Sequence, residues 1–338
     1  MLRTFSLPAS VRLLCVGIAG LVVAAEARAE QAPPFPSDPN AWINSGPLSV
    51  SGLKGKGIVL WFFEEDCPKC RARWPEMMEA TKKYEGQPVV FIAVNSGSPK
   101  IKIEGYLRQL NVKVPWPVLV DSSRDFEKAC GLIPEISLEN ISQIKYIKPD
   151  GEILASETDD IEEAADAAVE GAKWKLDPTE VPDTLKSTWA AIEMGNYKGM
   201  AASLKKSLAS SKPEVKEAAT KLMDAVQQEI DAQWTAVQEA QGADNSFKAF
   251  ELLSDLTDRF TGFELSKEVA ALKKELSKDA KVKAGQTAAK SLEGARKQLS
   301  LPNPASHKKA IATLEKIVED FPDTDLALQA QSLLDNAK

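Results

Sequence analysis

Two cysteines three positions apart are the residues of this sequence whose types and spacing could do chemistry. Cys67 and Cys70 enclose Pro68 and Lys69. Such a Cys-x-x-Cys pair occurs as half of a zinc site, as part of a haem-attachment sequence and as a redox dithiol. A four-cysteine zinc site needs a second pair, which the sequence lacks, and haem attachment needs a histidine where Arg71 stands. We therefore favour redox chemistry over a structural disulfide or a pair of idle thiols.

The elements predicted around the pair would make Cys67 the reactive sulfur. The apolar run at residues 58–63 is typical of a strand buried on both faces, and residues 68–84 are helix-like. Cys67 would then stand at a helix N-terminus, where free N–H groups and the helix dipole stabilise a thiolate, with Lys69 adding positive charge. We expect Cys67 to attack a substrate disulfide and Cys70 to resolve the mixed disulfide, closing a Cys67–Cys70 bond.

Three acidic residues, Glu64, Glu65 and Asp66, directly precede Cys67. Their negative charge disfavours a thiolate at Cys67 and so opposes the effect of the helix dipole and Lys69. The sequence leaves the sign of the net effect open. We interpret the three residues as a solvated loop rather than as an acid–base set.

The composition limits the other functions that this chain could have. Its 338 residues include 42 Lys and Arg against 49 Asp and Glu, for a formal net charge of −7. Nucleic-acid binding needs clustered excess Lys and Arg, so we predict no nucleic-acid partner. The single histidine, His307, excludes a multi-histidine metal centre and argues against a histidine-assisted hydrolase. We predict no metal and no cofactor beyond the redox-active disulfide itself.

The first 29 residues have the features of a secretory signal peptide. Arg3 and Arg12 lie before an apolar stretch at residues 13–25. The small residues Ala27 and Ala29 then stand at the two positions that a signal peptidase recognises. We predict cleavage after Ala29 and export to the periplasm; an uncleaved membrane anchor is the alternative. The remaining chain has no apolar run long enough to span a membrane.

Export would leave Cys130 as an odd third cysteine beside the Cys67–Cys70 pair. Cys130 precedes Gly131 at a predicted helix end. We interpret Cys130 as a small buried hydrophobic residue. A third redox thiol or an intermolecular link is the alternative.

The pattern of the sequence changes near residue 175 and indicates two domains. Residues 30–46 are proline-rich and predicted to form an extended leader. Residues 47–175 alternate strand-like and helix-like segments, which predicts an α/β domain. Residues 176–338 show helical spacing of apolar residues and no strand signals, which predicts an all-α domain.

A weak internal repeat occurs within the predicted all-α domain. Residues 247–260 match residues 308–321, with Leu253 falling on Leu314. Each copy is a helix, a short turn and a second helix, which resembles tetratricopeptide-type helical hairpins. The spacing exceeds the usual period of about 34 residues, so the resemblance is to the hairpin and not to a regular array. An unrelated helical bundle is the alternative.

Residues 57–155 resemble the thioredoxin superfamily, especially its exported TlpA/ResA-like members. The first part of the resemblance is the predicted strand that ends at residue 63, followed by the cysteine pair, Arg71 directly after it, and Pro75 at the position of the family's helix-kinking proline. The second part is the predicted strand at 116–121 and the hairpin turn at 148–151. It implies a central mixed sheet flanked by helices. It also implies a thiol–disulfide oxidoreductase that reduces disulfides of exported proteins and receives electrons from a membrane donor. Pro68, Lys69 and Pro75 would support the cysteine pair.

Three departures from the family concern the site itself. Asp66 stands where the family has an aromatic residue, and Trp61 where thioredoxin has a buried acid. Ser142 stands at the family's cis-proline position, and the nearest proline is Pro134. A non-proline cis bond costs about 2.5–4 kcal/mol, so we expect a trans bond between Ile141 and Ser142.

Two hypotheses follow for the whole protein. In the first, the chain is an exported oxidoreductase whose helical domain docks a protein client or partner, as concave helical-hairpin surfaces commonly do. In the second, prompted by the missing proline, the thioredoxin-like domain is a redox-inactive scaffold and the helical domain mediates protein–protein interaction.

Overall fold

The computed structural model of the chain describes residues 30–132, 143–156, 159–299, 301–322 and 324–337. The predicted signal peptide lies outside these ranges, as do Pro134, Ile141 and Ser142. None of the helices within these ranges combines the length and the apolar character that a membrane span requires.

A six-stranded mixed sheet organises the first domain. Its strands, in chain order, are β1 (Trp42–Ile43), β2 (Gly57–Phe63), β3 (Val89–Ser96), β4 (Val118–Asp121), β5 (Gln143–Ile147) and β6 (Ile153–Ala155). The spatial order is β1-β4-β3-β2-β5-β6. The central strand β2 runs parallel to β3 and antiparallel to β5, and every residue of β2 is buried. This arrangement confirms the predicted α/β fold.

Helices cover both faces of the sheet. In chain order they are α1 (Pro68–Ala80), α2 (Lys100–Arg108), α3 (Asp125–Ala129) and α4 (Ile161–Val169). Because side chains alternate along a strand, β2 contributes Trp61 and Phe63 to one core and Leu60 to the other. The core on the Trp61 side contains Cys67 and Cys70, whereas the opposite core contains Cys130. The sheet therefore separates Cys130 from the cysteine pair.

The segment at 30–46, predicted as an extended leader, packs onto the first domain. Phe35 and Trp42 are buried in the core that contains Cys130, and β1 pairs with β4. The N–H of Ala32 donates to the carbonyl of Gly151 at 2.9 Å. A 3₁₀ turn at Pro39–Ala41 interrupts the segment, and its aromatic residues bury apolar surface and hold it in place.

The second domain is entirely helical among its described residues, which confirms the predicted class. Its α-helices are α5 (Lys186–Glu193), α6 (Met200–Leu208), α7 (Pro213–Gly242), α8 (Ser246–Arg259), α9 (Lys267–Leu276), α10 (Ala280–Leu299), α11 (Pro304–Asp320) and α12 (Asp325–Ala337). Short 3₁₀ segments occur at Pro39–Ala41 and Thr81–Tyr84 in the first domain, and at Pro178–Glu180 and Asp183–Leu185 before α5.

The internal repeat corresponds to two helical hairpins, α8–α9 and α11–α12. Leu253 in α8 and Leu314 in α11 are both fully buried, as their matched positions predict. A contact between the rings of Phe247 and Phe321, 5.3 Å between centroids, joins the two copies. The apolar period seen in the sequence thus marks the faces on which these helices pack.

The two domains meet at a buried polar junction. Lys56, just before β2, pairs with Glu193 at the end of α5 at 2.6 Å, and both side chains are at most 1% exposed. Gly52 and Gly195 touch so closely that a Cβ on Gly195 would lie 2.6 Å from the Cα of Gly52. Gly195 also has φ +70°, a conformation that favours glycine. Any larger residue at Gly195 would force the domains apart.

Candidate active site

The cysteine pair lies at the junction of β2 and α1, where the sequence predicts it. Cys67 is the N-cap residue of α1, and the N–H of Cys70 donates to the Sγ of Cys67 at 3.2 Å. Pro68 occupies the first turn, where its lack of an N–H costs nothing. An N–H donor at a helix N-terminus stabilises a sulfur that carries negative charge. This local geometry follows from the short sequence 67–70 alone.

The two thiols are unbonded in this structure and differ in environment. Cys70 is fully buried, and burial, followed by the hydrogen bond with Cys67, raises the pKa of Cys70 to about 12. Cys70 therefore stays protonated at neutral pH, as suits a thiol that acts second. Cys67 is 2% exposed, so a substrate can reach its sulfur only where the surrounding surface admits it.

Glu65 is buried rather than part of a solvated loop, which corrects our interpretation of this residue. Its carboxylate accepts a hydrogen bond from Asn95 Nδ2 at 2.9 Å and one from the hydroxyl of Ser98, and pairs with Lys102 at 2.6 Å. Burial by itself would raise the pKa of Glu65, but these three donors outweigh it and hold the pKa at about 2. Glu65 thus ties the turn before Cys67 to the end of β3 and to α2.

The other two acidic residues are also paired with cations. Asp66 contacts Lys102 at 2.7 Å, and Glu64 contacts Arg124. Arg124 is the N-cap residue of α3 in the left-handed conformation, φ 61°, and also pairs with Glu127 at 3.0 Å. Two cations, Lys102 and Arg124, thus each serve two carboxylates, so the negative charge of the acidic turn is compensated in part.

Aromatic side chains, among them Trp61, Phe63 and Trp74, pack in the same buried core as the cysteine pair. The rings of Trp61 and Trp74 lie 4.5 Å apart, and Trp74 Nε1 donates to the hydroxyl of Tyr106 at 2.9 Å. The guanidinium of Arg71 stands 4.7 Å above the ring of Tyr106. Trp61, at the position where thioredoxin has an acid, is fully buried and packs its ring against those of Phe63 and Trp74.

The remaining supporting residues lie on α1. Lys69 is exposed and pairs weakly with Asp159 at 3.7 Å, and Pro75 lies inside the helix as the resemblance implies. Ser142 lies outside the described residues, so its place opposite the pair stays a prediction. Across the described ranges, no three His, Cys, Asp or Glu side chains are grouped closely enough to hold a metal ion.

Sequence reasoning missed Asn95, Ser98, Lys102 and Arg124. These four residues approach the acidic turn from β3, from the loop after it, from α2 and from the start of α3. The signal that could have found them is the acidic turn itself, because buried carboxylates need donors or cations as partners.

Comparison with known proteins agrees with this site. Residues 29–156 match the AhpC/TSA family. The chain is 29% identical over 111 residues to the thiol-disulfide oxidoreductase ResA of Bacillus subtilis (strain 168), covering 33% of this chain and 58% of ResA. It is 30% identical over 87 residues to ResA of Bacillus thuringiensis subsp. konkukian (strain 97-27), covering 26% of this chain and 49% of that protein. The chain thus spans about half the length of the curated relatives it matches.

Among solved structures, the chain matches a thiol:disulfide interchange protein of the thioredoxin family from Chlorobium tepidum TLS. It is 23% identical, covers 43% of this chain and 99% of its own, and superposes with a TM-score of 0.35. The sheet order, the cysteine pair at the start of α1 and the AhpC/TSA match define the class of the first domain. It has a thioredoxin-like fold, and its sequence is similar to that of the ResA proteins.

Proposed function

We propose that this protein is a thiol–disulfide oxidoreductase that acts on disulfides of protein substrates through Cys67 and Cys70. The observation that carries the proposal is the asymmetry of the pair. Both cysteines are buried, but Cys67 caps α1 and accepts the N–H of Cys70, whereas burial and the hydrogen bond with Cys67 raise the pKa of Cys70 to about 12. The similarity to the thiol-disulfide oxidoreductase ResA supports the same chemistry.

In the proposed reaction, the thiolate of Cys67 attacks one sulfur of a substrate disulfide. The substrate S–S bond breaks, a Cys67–substrate disulfide forms, and the other substrate sulfur leaves as a thiolate and takes up a proton. Cys70 then loses its proton and attacks the Sγ of Cys67, releasing the second substrate thiol. The substrate gains two electrons, and the protein is left with a Cys67–Cys70 disulfide that a reduced dithiol donor must reopen.

The setting of this activity belongs to the same proposal. Cleavage after Ala29 would release the protein into the periplasm, where a membrane donor would supply electrons. The helical domain, with its tetratricopeptide-like hairpins, would hold a client or partner protein. The buried pair of Lys56 and Glu193 supports the proposal that one domain binds a protein on which the other acts, because this pair holds both domains in one arrangement.

The burial of Cys67 favours a second candidate function. A cysteine residue that is 2% exposed exchanges slowly unless the surface around it opens. In this case the thioredoxin-like domain would be a redox-inactive scaffold, and binding by the helical domain would be the function.

The reduction potential of the pair distinguishes the two candidates. Alkylation of free thiols across a dithiothreitol or glutathione series would give a reversible transition between about −120 and −270 mV for an exchange enzyme. A pair that stays oxidised below about −300 mV, or thiols that never pair, would support the scaffold.

A trapping experiment provides an independent test. Cys70→Ser removes the resolving sulfur, so mixed disulfides between Cys67 and clients should accumulate on non-reducing gels. The double variant Cys67→Ser/Cys70→Ser should trap nothing and is the matched control, since it retains Cys130 as the remaining cysteine of the mature chain. Adducts that persist in the double variant would contradict the assignment of Cys67 as the nucleophile.

A further inference from the structure

We propose that Arg124 is a positioning residue for the second step of the proposed reaction. It holds the carboxylate of Glu64 in an ion pair and so lessens the effect of that charge on the attack of Cys70. The inference rests on the proposed function in taking Cys70 as the thiol that resolves the mixed disulfide. It assigns a role to a residue that precedes α3, outside the Cys-x-x-Cys sequence and the helix that carries it.

Glu64 is joined to the cysteine pair through the turn before α1. Its carbonyl accepts the N–H of Cys67 at 3.3 Å. Burial, and then the hydrogen bond with Cys67, raises the pKa of Cys70. The backbone of Glu64 opposes this rise through a hydrogen bond, and the charge of Glu64 adds to it. Glu64 is thus an acidic residue of this turn that acts on the resolving thiol.

The backbone and the surroundings of Arg124 hold its guanidinium at Glu64. Its Nη2 contacts Glu64 Oε1, while its Nη1 lies 3.0 Å from Glu127 Oε2. Arg124 has φ 61°, a left-handed conformation that residues other than glycine rarely adopt. Gly97 leaves room for the guanidinium, because a Cβ there would lie 2.7 Å from Arg124 Nε. A residue that its surroundings hold in such a conformation is typical of functional sites.

Both domains hold α3, the helix that Arg124 caps. Phe126 packs into the core of the first domain, with its ring centroid 5.5 Å from that of Phe35 and 6.3 Å from that of Phe62. α12 of the helical domain lies against α3. Because α3 is held in this way, the side chain of Arg124 stays in place at Glu64.

The charge of Glu64 matters most when Cys70 reacts. In the mixed disulfide Cys67 carries no charge, whereas Glu64 remains a carboxylate in its pair with Arg124. Cys70 must lose its proton to solvent before its sulfur attacks the Sγ of Cys67 and the substrate thiolate leaves. A nearby negative charge without a partner disfavours the thiolate of Cys70, and the ion pair with Arg124 reduces this effect.

The other elements around Cys70 contribute a neutral tyrosine, an arginine and apolar side chains. Tyr106 faces the pair from α2, and burial raises its pKa to about 12, so it is neutral at pH 7. Arg71 stands 4.7 Å from the centre of the Tyr106 ring. Trp61 and Trp74 share the buried core of the pair. Loss of Arg124 would therefore change the charge balance at Cys70 through Glu64.

The test follows the two attacks separately in the reduced full-length chain at pH 7, with dithiodipyridine, an uncharged aromatic disulfide. Attack by Cys67 releases one thiopyridone at a rate that depends on the concentration of the reagent. Attack by Cys70 on the resulting mixed disulfide releases the second thiopyridone at a rate that does not. Stopped-flow absorbance of thiopyridone therefore resolves two phases, and Cys70→Ser should lose the second.

Arg124→Met should slow the second phase about threefold. A rise of one in the pKa of a thiol lowers its thiolate fraction about tenfold, and the greater nucleophilicity of the more basic thiolate offsets about half of this on a logarithmic scale. Arg124→Lys keeps the positive charge and should restore the rate. The double variant Arg124→Met/Glu64→Gln should also restore it, because the carboxylate is gone, whereas a turn that had merely loosened would stay slow.

Glu127→Gln is the matched control, since it removes the other ion pair of the same guanidinium and should leave the second phase unchanged. Glu64→Gln alone should not slow this phase. The inference would be overturned, and the proposed function left standing, by an unchanged second phase in Arg124→Met, by a double variant as slow as Arg124→Met, or by equal slowing in either control. A wild-type chain that releases no second thiopyridone would overturn both.

Discussion

The buried pair of Lys56 and Glu193 predicts that loss of one charge at the domain junction is severely destabilising. Glu193 Oε2 lies 2.6 Å from Lys56 Nζ, and Oε1 accepts the N–H of Leu176 at 3.1 Å. Glu193→Gln keeps the shape of the side chain and an acceptor for Leu176 but leaves the ammonium of Lys56 without its counter-charge.

The expected cost follows from burial. Both side chains are at most 1% exposed, so the unpaired ammonium cannot be solvated where it lies. Burial, with repulsion from Lys175, already lowers the pKa of Lys56, and Glu193, followed by the more weakly acting Glu229, opposes this. Breaking a buried pair by removing one partner costs about 3–5 kcal/mol, and we expect Glu193→Gln to fall in that range.

The assay is urea unfolding of the full-length chain at pH 7, in which the midpoint and the slope of each variant's transition are compared with those of the wild type. The double variant Lys56→Met/Glu193→Gln buries no charge and should recover most of the loss. Lys221→Met breaks an exposed pair with Glu180 and should leave the urea midpoint nearly unchanged.

Two results would refute this reasoning. A loss below about 1 kcal/mol in Glu193→Gln would mean that water reaches Lys56 and that the junction is not buried in solution. A double variant as unstable as Glu193→Gln would mean that the loss arises from packing rather than from the unpaired charge.

Two further predictions concern the buried residues Asp121 and Cys130. Burial raises the pKa of Asp121 from its usual 3.8 to about 6, against the opposing N–H of Glu127 at 2.8 Å. The folded state therefore favours the protonated form of Asp121. The contribution of this form to the free energy of unfolding is complete below pH 3.8 and is lost as pH rises through 6. Asp121→Asn should therefore stabilise the protein at pH 7.5 by up to about 3 kcal/mol and show no gain at pH 4 in thermal unfolding; an equal effect at both pH values would contradict this. Cys130 is 1% exposed and burial raises its pKa, so iodoacetamide should modify it only after urea unfolding, which mass spectrometry checks; rapid labelling in the native protein would contradict its assignment to the core.

The chemistry of the pair was predictable because it depends on neighbouring residues. A continuous apolar run makes β2 a buried strand, and four consecutive residues set the N-cap at Cys67. The apolar spacing likewise predicted the helical second domain, with Leu253 and Leu314 at matched buried positions. These features are local or periodic, so the sequence displays them directly.

The segment at 30–46 shows where local reasoning stops. Its prolines predict an extended chain, but the segment includes a 3₁₀ turn at Pro39–Ala41, and whether Phe35 and Trp42 find a partner depends on β4, which lies far along the sequence. Composition describes the conformation of such a segment, and only the folded sheet decides whether it packs.

The sequence by itself determined a dithiol at the end of a buried strand, two domains of different class and three acidic residues beside Cys67. Tertiary structure alone decided what those acidic residues do. Lys102 lies 36 positions from Asp66, and Arg124 lies 60 positions from Glu64. The junction of Lys56 and Glu193 has the same origin. Charges act through space over a few ångströms, so their effect is fixed by which distant residues folding brings into contact.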